Sequence, residues 1–443
     1  MLLMLIILII CTLFLYYILL NRDFLSPTFI IFAMFILCSF FALLGNESWG
    51  VDISLITYIA IFSGLFSFTF GEVFVDIAFH GGKVSRCFRQ CPDGNRYYKF
   101  PRIVILIVLI VGIFVFYMYF RKMNAIASSF GYSGGLSFMA LSYAKAGLLD
   151  GAVLGKVLST SVNLVYGIGF NCIFALCYNV LVCNRKTKRE CCLLLPVIPQ
   201  LLCYAVSGSR NGFITITVFT FFCFFLLYYK THDIKNKKSI GIKKVIVIIA
   251  VVFFAFFELF QFLGVFLGKT GVRTPLEMLY IYAGSSIPAL SKYLSGGVVK
   301  SASIGNESFV GIANWFYRLF GTVEGLKNFE HIRFANTSTT NIYTCFREYI
   351  DDFGYIGSCF IMFVLGFVHK YYYEKIKRRK NAGLLVILYS YFMYYHVSSI
   401  FAASTTIYLF SNTQLSQMIW IVGIYFVFNN FFLRKVNNEK IFI

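Results

Sequence analysis

Long uncharged runs recur along this chain, and their length leaves few folds open. They fall at about 2–20, 27–44, 53–75, 103–120, 159–183, 191–206, 212–229, 245–267, 355–370, 383–403 and 414–433. A helix needs about 20 predominantly apolar residues to cross a hydrocarbon core, so the pattern reads as about 11 crossings, within about 10–14. Barrels are the other spanning option, but their strands show about ten-residue alternating segments. Runs such as 103–120 and 193–206 are instead apolar all round. With 59% hydrophobic and 13% charged residues over 443 positions, the chain sits far from the about 25% charge of soluble domains. The expected fold class is an all-α polytopic integral membrane protein.

The basic residues fix an expected orientation. They cluster in alternate connections: Lys83 to Arg102, Arg185 to Arg189, Lys230 to Lys244, Lys370 to Lys380, and Arg434 to Lys440, with Arg22 near the start. The positive-inside rule assigns these to the cytoplasm, and the whole formal charge of +20 falls there. Topology and anionic lipid account for that excess, so no nucleic-acid partner is called for. The N-terminus is then expected outside and the C-terminus in the cytoplasm of a bacterial inner membrane. Residues 2–20 lack a basic leader and a small-residue cleavage site, so they read as a retained helix.

On this assignment three segments face outward: 121–158, the short turn Ser207–Asn211, and a long polar interval. The expected division is a membrane bundle over 1–267, a large extracytoplasmic loop over 268–354, and C-terminal transmembrane helices over 355–443. Thr274-Pro275-Leu-Glu277 opens a helix with a cap and Pro at its first position. Tyr280, Tyr282 and Tyr293, interleaved with Gly and Ser, suit sugar faces or a membrane-interface belt.

Several outer residues are candidates for chemistry. Arg210 is the lone charge between Cys192 and Lys230, and a cation on the outer face opposes the topological bias unless an anion meets it. Arg273, Arg318, Arg333 and Arg347 join it on that side; guanidinium groups hold phosphate by paired hydrogen bonds. Neutralising the nearby acids Glu277, Glu307, Glu324, Glu330, Glu348, Asp351 and Asp352 is the alternative role. Asp352, just ahead of the 355–370 run, is expected to serve as general base or to complement that helix's dipole, with His331 as a competing base. Glu72 and Asp76, four apart near the inner end of the third run, are expected at the inner interface, meeting the basic 80–102 loop, with an intramembrane pair as the alternative. Glu258 is the better candidate for an intramembrane acid. Most of the thirteen cysteines lie in apolar runs, and Cys87 with Cys91 lacks the further ligands a zinc site needs. No metal or nucleotide site is expected.

In Ser207-Gly-Ser209-Arg210, Tyr282-Ala-Gly-Ser-Ser-Ile-Pro-Ala-Leu290, and Asn341-Ile-Tyr343-Thr344 running into Asp352-Phe-Gly354-Tyr-Ile-Gly357, the chain resembles the Wzy-type O-antigen polymerases. One large external loop in the C-terminal half fits the same layout. The resemblance implies a GT-C-like architecture and a glycosyltransferase of lipopolysaccharide biosynthesis. Donor and acceptor would both be undecaprenyl-diphosphate-linked oligosaccharides, with a flippase and a chain-length regulator as pathway partners and no cofactor. It implies catalytic roles for Arg210, Arg273 and Arg347. Ser207, Ser209, Tyr282, Arg318, Arg333, Asn341, Tyr343 and Thr344 join them as substrate-binding candidates. An O-antigen ligase of similar architecture is the first alternative; a flippase or transporter of the lipid-linked oligosaccharide is the second, disfavoured by the lack of visible internal repeats.

Overall fold

The structure is a computed structural model. It describes residues 2–19, 23–50, 52–80, 96–133, 143–144, 148, 152–207, 211–231, 280–297, 305–320, 332–335, 338–408 and 410–435. Among these, eight helices are long and apolar enough to cross a membrane, and a further apolar helix lies at Leu2–Ile18. Most expected runs fall in helices, but 191–206 is split between a 3₁₀ turn at Cys191–Leu194 and a helix from Val197, and 383–403 outruns its helix. The helix over 414–433 is not among the eight, and 245–267 lies outside the described residues. The helices are α1 (Leu2–Leu19), α2 (Pro27–Trp49), α3 (Leu55–His80), α4 (Arg102–Ser129), α5 (Lys156–Leu181), α6 (Thr187–Glu190), α7 (Val197–Val206) and α8 (Asn211–Thr231). After a π turn at Tyr280–Gly284 follow α9 (Ser286–Ser295), α10 (Val310–Phe320), α11 (Phe346–Arg378), α12 (Gly383–Val397), α13 (Ser404–Ile407) and α14 (Asn412–Phe431). Two small antiparallel pairs complete the fold: β1 (Arg96–Tyr98) with β4 (Leu433–Lys435), and β2 (Ile332–Ala335) with β3 (Ser338–Thr340).

The outer face of these helices shows what surrounds them. Along the 28-residue α4, Ile103, Leu106, Ile107, Ile110 and Phe114 are all exposed. An apolar stripe of that length has hydrocarbon, not water, as its solvent. The chain is a multi-pass helical membrane protein.

Contacts divide the chain into two compact units. The first comprises Met1–Arg86, Arg273–Lys377 and Tyr395–Gln414. Its core gathers Leu5 and Ile9 of α1, Ile31 and Phe35 of α2, Phe68 of α3, Leu290 of α9, and Phe346 and Ile350 of α11. Helices α3 and α11 cross at two glycines. A Cβ on Gly366 would lie 2.0 Å from the Phe68 carbonyl oxygen, and one on Gly71 would lie 2.2 Å from that of Phe363. Such close backbone approach is the usual source of helix adhesion where no hydrophobic effect operates. Helix α11 is interrupted at Gly354, whose φ of 69° and ψ of −176° belong to a region only glycine occupies readily.

One end of this unit is a buried charge network. Lys370 Nζ lies 3.2 Å from Asp76 and 3.5 Å from Glu374, while Lys377 Nζ lies 3.2 Å from Glu374 and 3.1 Å from Asp23. The Tyr373 hydroxyl donates to Asp23 at 2.8 Å. Glu72 accepts from the Tyr16 and Ser26 hydroxyls and from the Thr28 backbone N–H. This corrects the expectation for Glu72 and Asp76: both are buried inside the helix packing and are met by α1, α2 and α11 groups. Lys370 and Lys377 are likewise buried ion-pair members and not solvated loop cations. Helix α2 begins beside this end and finishes at the opposite one, where Trp49 packs edge-on against Phe334 of β2 at 5.1 Å.

The second unit comprises Cys87–Val272, Arg378–Tyr394 and Leu415–Ile443, with α5 at its centre. Three asparagines bind it to its neighbours. Asn163 donates to Ser416 and Asn171 to the Ile421 carbonyl of α14; Asn179 joins the Tyr98 backbone and Glu190. Gly112 lets Pro199 approach α4, and Gly169 leaves room for the Gln200 side chain.

Candidate functional site

The site lies in the first unit, at the end away from the charge network, where an extended segment feeds α11. Residues 341–345 run without helical hydrogen bonds but are tied down. Tyr343 N–H donates to the Phe401 carbonyl at 3.1 Å, and Cys345 N–H to that of Ser399 at 2.8 Å. The Arg347 N–H then bonds back to the Thr344 carbonyl, starting the helix. Residues 347 and 351 share one face, the i,i+4 relation of a helical surface.

Tyr343 and Tyr293 of α9 form a cleft around Arg347. Their rings meet edge-on, 5.9 Å apart, and the guanidinium carbon lies 4.2 Å from the Tyr343 centroid and 4.8 Å from that of Tyr293. Cation–π attraction at such distances strengthens as water is excluded, and Arg347 is only 8% exposed. Asp351 approaches Arg347 Nε at 3.6 Å and accepts the Tyr293 hydroxyl at 2.8 Å. Burial, and then the Asp351 carboxylate, push the Tyr293 phenol up to about 12, so at neutral pH it keeps its proton and donates.

The arrangement leaves polar atoms unused. Nε and Nη1 of Arg347 have no hydrogen-bond partner, nor has Oγ1 of the fully buried Thr344. Glu348, 2% exposed, has its carboxyl met by its own and the Ala403 backbone N–H groups. Buried polar atoms are nearly always satisfied in a resting fold, so the Arg347 and Thr344 exceptions call for an explanation. Two guanidinium donors with the Asp351 carboxylate beside them are equipped to take an anion and a proton.

Asp352 does different work. Its carboxylate accepts from the Glu307 and Ser308 backbone N–H groups at 3.2 and 2.7 Å and from the Ser308 hydroxyl. It anchors the turn at Gly305–Ser308, and Phe353 packs edge-on against Phe309 beside it. The carboxylates that face Arg347 and Tyr293 are those earlier on α11.

Of the residues expected from sequence, Tyr343, Thr344 and Arg347 come together here. Asn341 is exposed just upstream. Arg333 is exposed on β2, paired with Thr339 of β3, and the hairpin is seated by Phe334, packed with Trp49, Ala289 and Tyr343. Tyr282 is half-buried in the π turn, and nearby Ser285 donates to Thr340 at 3.2 Å. Arg318 is on α10, its side chain outside the described residues. Ser207 closes α7, its hydroxyl donating to the Tyr204 carbonyl at 2.7 Å. Ser209, Arg210, Arg273, Glu258 and His331 lie outside the described residues.

No family model, curated protein or solved structure matches the chain. The site's own chemistry is the guide to its use.

In the sequence Tyr293 is a tyrosine suited to sugar faces, Asp351 stands with Asp352 as a possible base and Glu348 is one of the nearby acids, but nothing there joins them to Arg347. The i,i+4 spacing of Arg347 and Asp351 is a usable signal, since such partners meet on any helix. Tyr293 arrives from a separate helix, and no spacing rule reaches it.

Proposed function

We propose that this chain is a membrane glycosyltransferase of the Wzy type, joining oligosaccharide repeat units that are carried on undecaprenyl diphosphate. The observation that carries the reading is Arg347: a guanidinium held between two tyrosines, with donors to spare, at the polar end of a membrane-embedded helix bundle. The resemblance of the 282–290, 341–344 and 352–357 segments to repeat-unit polymerases supports the same conclusion.

In this reaction the bond between the donor sugar's anomeric carbon and the diphosphate oxygen breaks. A new bond forms to a hydroxyl at the non-reducing end of the acceptor unit. Negative charge grows on the leaving diphosphate, and Arg347 stabilises it with donors already oriented by the tyrosine cleft and Asp351, so little reorganisation is needed. The acceptor's proton passes to a carboxylate of the first turn of α11; Glu348, buried next to Arg347 in the chain, is the candidate. Tyr293 and Asp351 are positioning residues for Arg347. Arg210 and Arg273 remain the expected further phosphate contacts, and Arg333, Asn341 and Thr344 the expected sugar contacts. The reaction runs on the outer face of the bacterial cytoplasmic membrane, with the N-terminus outside and the C-terminus inside. Flippase and chain-length regulator act before and beside it.

A clean deletion strain, with surface lipopolysaccharide resolved on a gel, tests the proposal. Loss of the ladder with retention of single-repeat chains is expected, and Arg347→Ala at normal expression should fail to restore it. Long polymer accumulating unattached to lipid A core would make the chain a ligase instead. A normal ladder in the deletion strain would end the polymerase reading.

A further inference from the structure

The second unit holds a cavity that this chemistry does not use. About 280 Å³ of space opens between α4, α5 and α14, lined by Phe100, Val104, Leu164, Ile168, Phe428 and Phe432 among other apolar side chains. Phe100 and Phe432 stand side by side in its wall, their rings stacked 4.5 Å apart, and the Lys99 N–H donates to the Phe432 carbonyl at 2.8 Å. An empty space of this kind forfeits dispersion contacts along every wall, and no polar lining invites water into it.

Cations neighbour these two rings in the chain. Lys99 and Arg102 flank Phe100 in the chain, and Arg434 follows Phe432 by two positions; with Arg96, all are exposed. The β1–β4 pairing sets Arg96 opposite Lys435 and Tyr97 opposite Arg434, which gathers the charges on one small sheet. None of the four exposed cations has an ion-pair partner among the described residues. We propose that this cavity and its basic rim form a binding site for one anionic phospholipid, an acyl chain filling the apolar space and the phosphate headgroup meeting Lys99, Arg102 and Arg434.

Selectivity arises at the headgroup. An acyl chain leaving the bilayer for an apolar cavity exchanges one hydrocarbon setting for another, so the tail contributes fit but little preference between lipids. The headgroup discriminates, because each basic residue near the surface attracts an anionic lipid. The site is independent of the transferase reading and needs only the membrane setting.

The experiment uses the full-length protein in mild detergent, with bound lipid counted by native mass spectrometry. Phosphatidylglycerol and phosphatidylethanolamine with identical chains are the probes. One phosphatidylglycerol per chain is expected, retained with about tenfold preference over phosphatidylethanolamine. The surface variant Lys99→Gln/Arg102→Gln/Arg434→Gln should bring that preference close to one without disturbing the fold. Ile168→Trp, which fills the cavity, should abolish retention of either lipid. Equal retention of both lipids by the wild type, an unchanged preference in the charge variant, or displacement of phosphatidylglycerol by equimolar undecaprenyl phosphate would each overturn the proposal.

Discussion

Replacing Lys370 with methionine keeps most of the side-chain stem and removes the charge that organises the buried network. At 3.2 Å from Asp76, the ammonium contributes about 5 kcal/mol of attraction at an effective dielectric of about 20. Its contact with Glu374 at 3.5 Å is of similar size, but Glu374 keeps Lys377 at 3.2 Å in the variant. Asp76 has the larger loss. Desolvation already offsets part of the attraction in the wild type, so the net cost of breaking such a pair is about 3–5 kcal/mol. That is a large fraction of the about 5–15 kcal/mol that holds a typical fold together. Cys38 and Cys345 are both buried in the core of this unit, so a thiol-reactive dye reports its opening during a thermal ramp in detergent. Lys370→Met should lower the unfolding midpoint clearly, and Lys370→Met/Asp76→Leu should recover part of the loss, because the carboxylate that Lys370 neutralises goes too. A single variant that melts with the wild type would refute the reasoning. So would a double variant less stable than the single.

Gly366→Leu drives a side chain into the Phe68 backbone and should cost about 1–3 kcal/mol or more by overpacking, read as a lower midpoint in the same dye assay. Asp352→Asn keeps an acceptor for the Gly305–Ser308 turn and should leave a polymer ladder, whereas Asp352→Ala should destabilise that turn by about 1 kcal/mol, seen as faster proteolysis there. Arg347→Lys retains charge but not the planar fork, so chain-length gels should show at best partial restoration, for a loss of about 10²–10³ in rate where Arg347→Ala removes the group. For Asp23, burial raises the carboxyl, but Lys377 and Lys370 outweigh it and hold the group below its usual range. Its stabilisation is therefore present above about pH 4 and lost as pH falls further. The midpoint difference between wild type and Asp23→Asn should be wide near neutrality and close below about pH 4.

The sequence reads the frame of this molecule well, for a physical reason. Bilayer thickness imposes one length on every crossing, and 27–44, 103–120 and 212–229 all fall within single helices. The start of the 355–370 run also marks a real feature, since α11 breaks at Gly354. Charge was harder to read. Lys370 and Lys377 look like part of a solvated basic loop because residues 375–380 are so rich in cations, yet α11 continues to Arg378 and carries both into the packing. Glu72 and Asp76 were ambiguous for the same reason: a carboxylate near a helix end is cheap in water and costly inside, and only its partners decide which. The site shows the same limit. Arg347 and Asp351 share a helix face that spacing reveals, whereas Tyr343 comes from the extended segment before the helix and Tyr293 joins them across more than fifty residues of chain.

The glycine break in α11 has a mechanical consequence. The helix is pinned at one end by the Lys370–Asp76 and Lys377–Asp23 ion pairs and at the other by the Tyr343 and Cys345 backbone tethers. A spanning segment answers changes in bilayer thickness by tilting, and a continuous rod would swing both ends together. With a swivel at Gly354, the lipid-facing length can lean while the arginine cleft holds its aim.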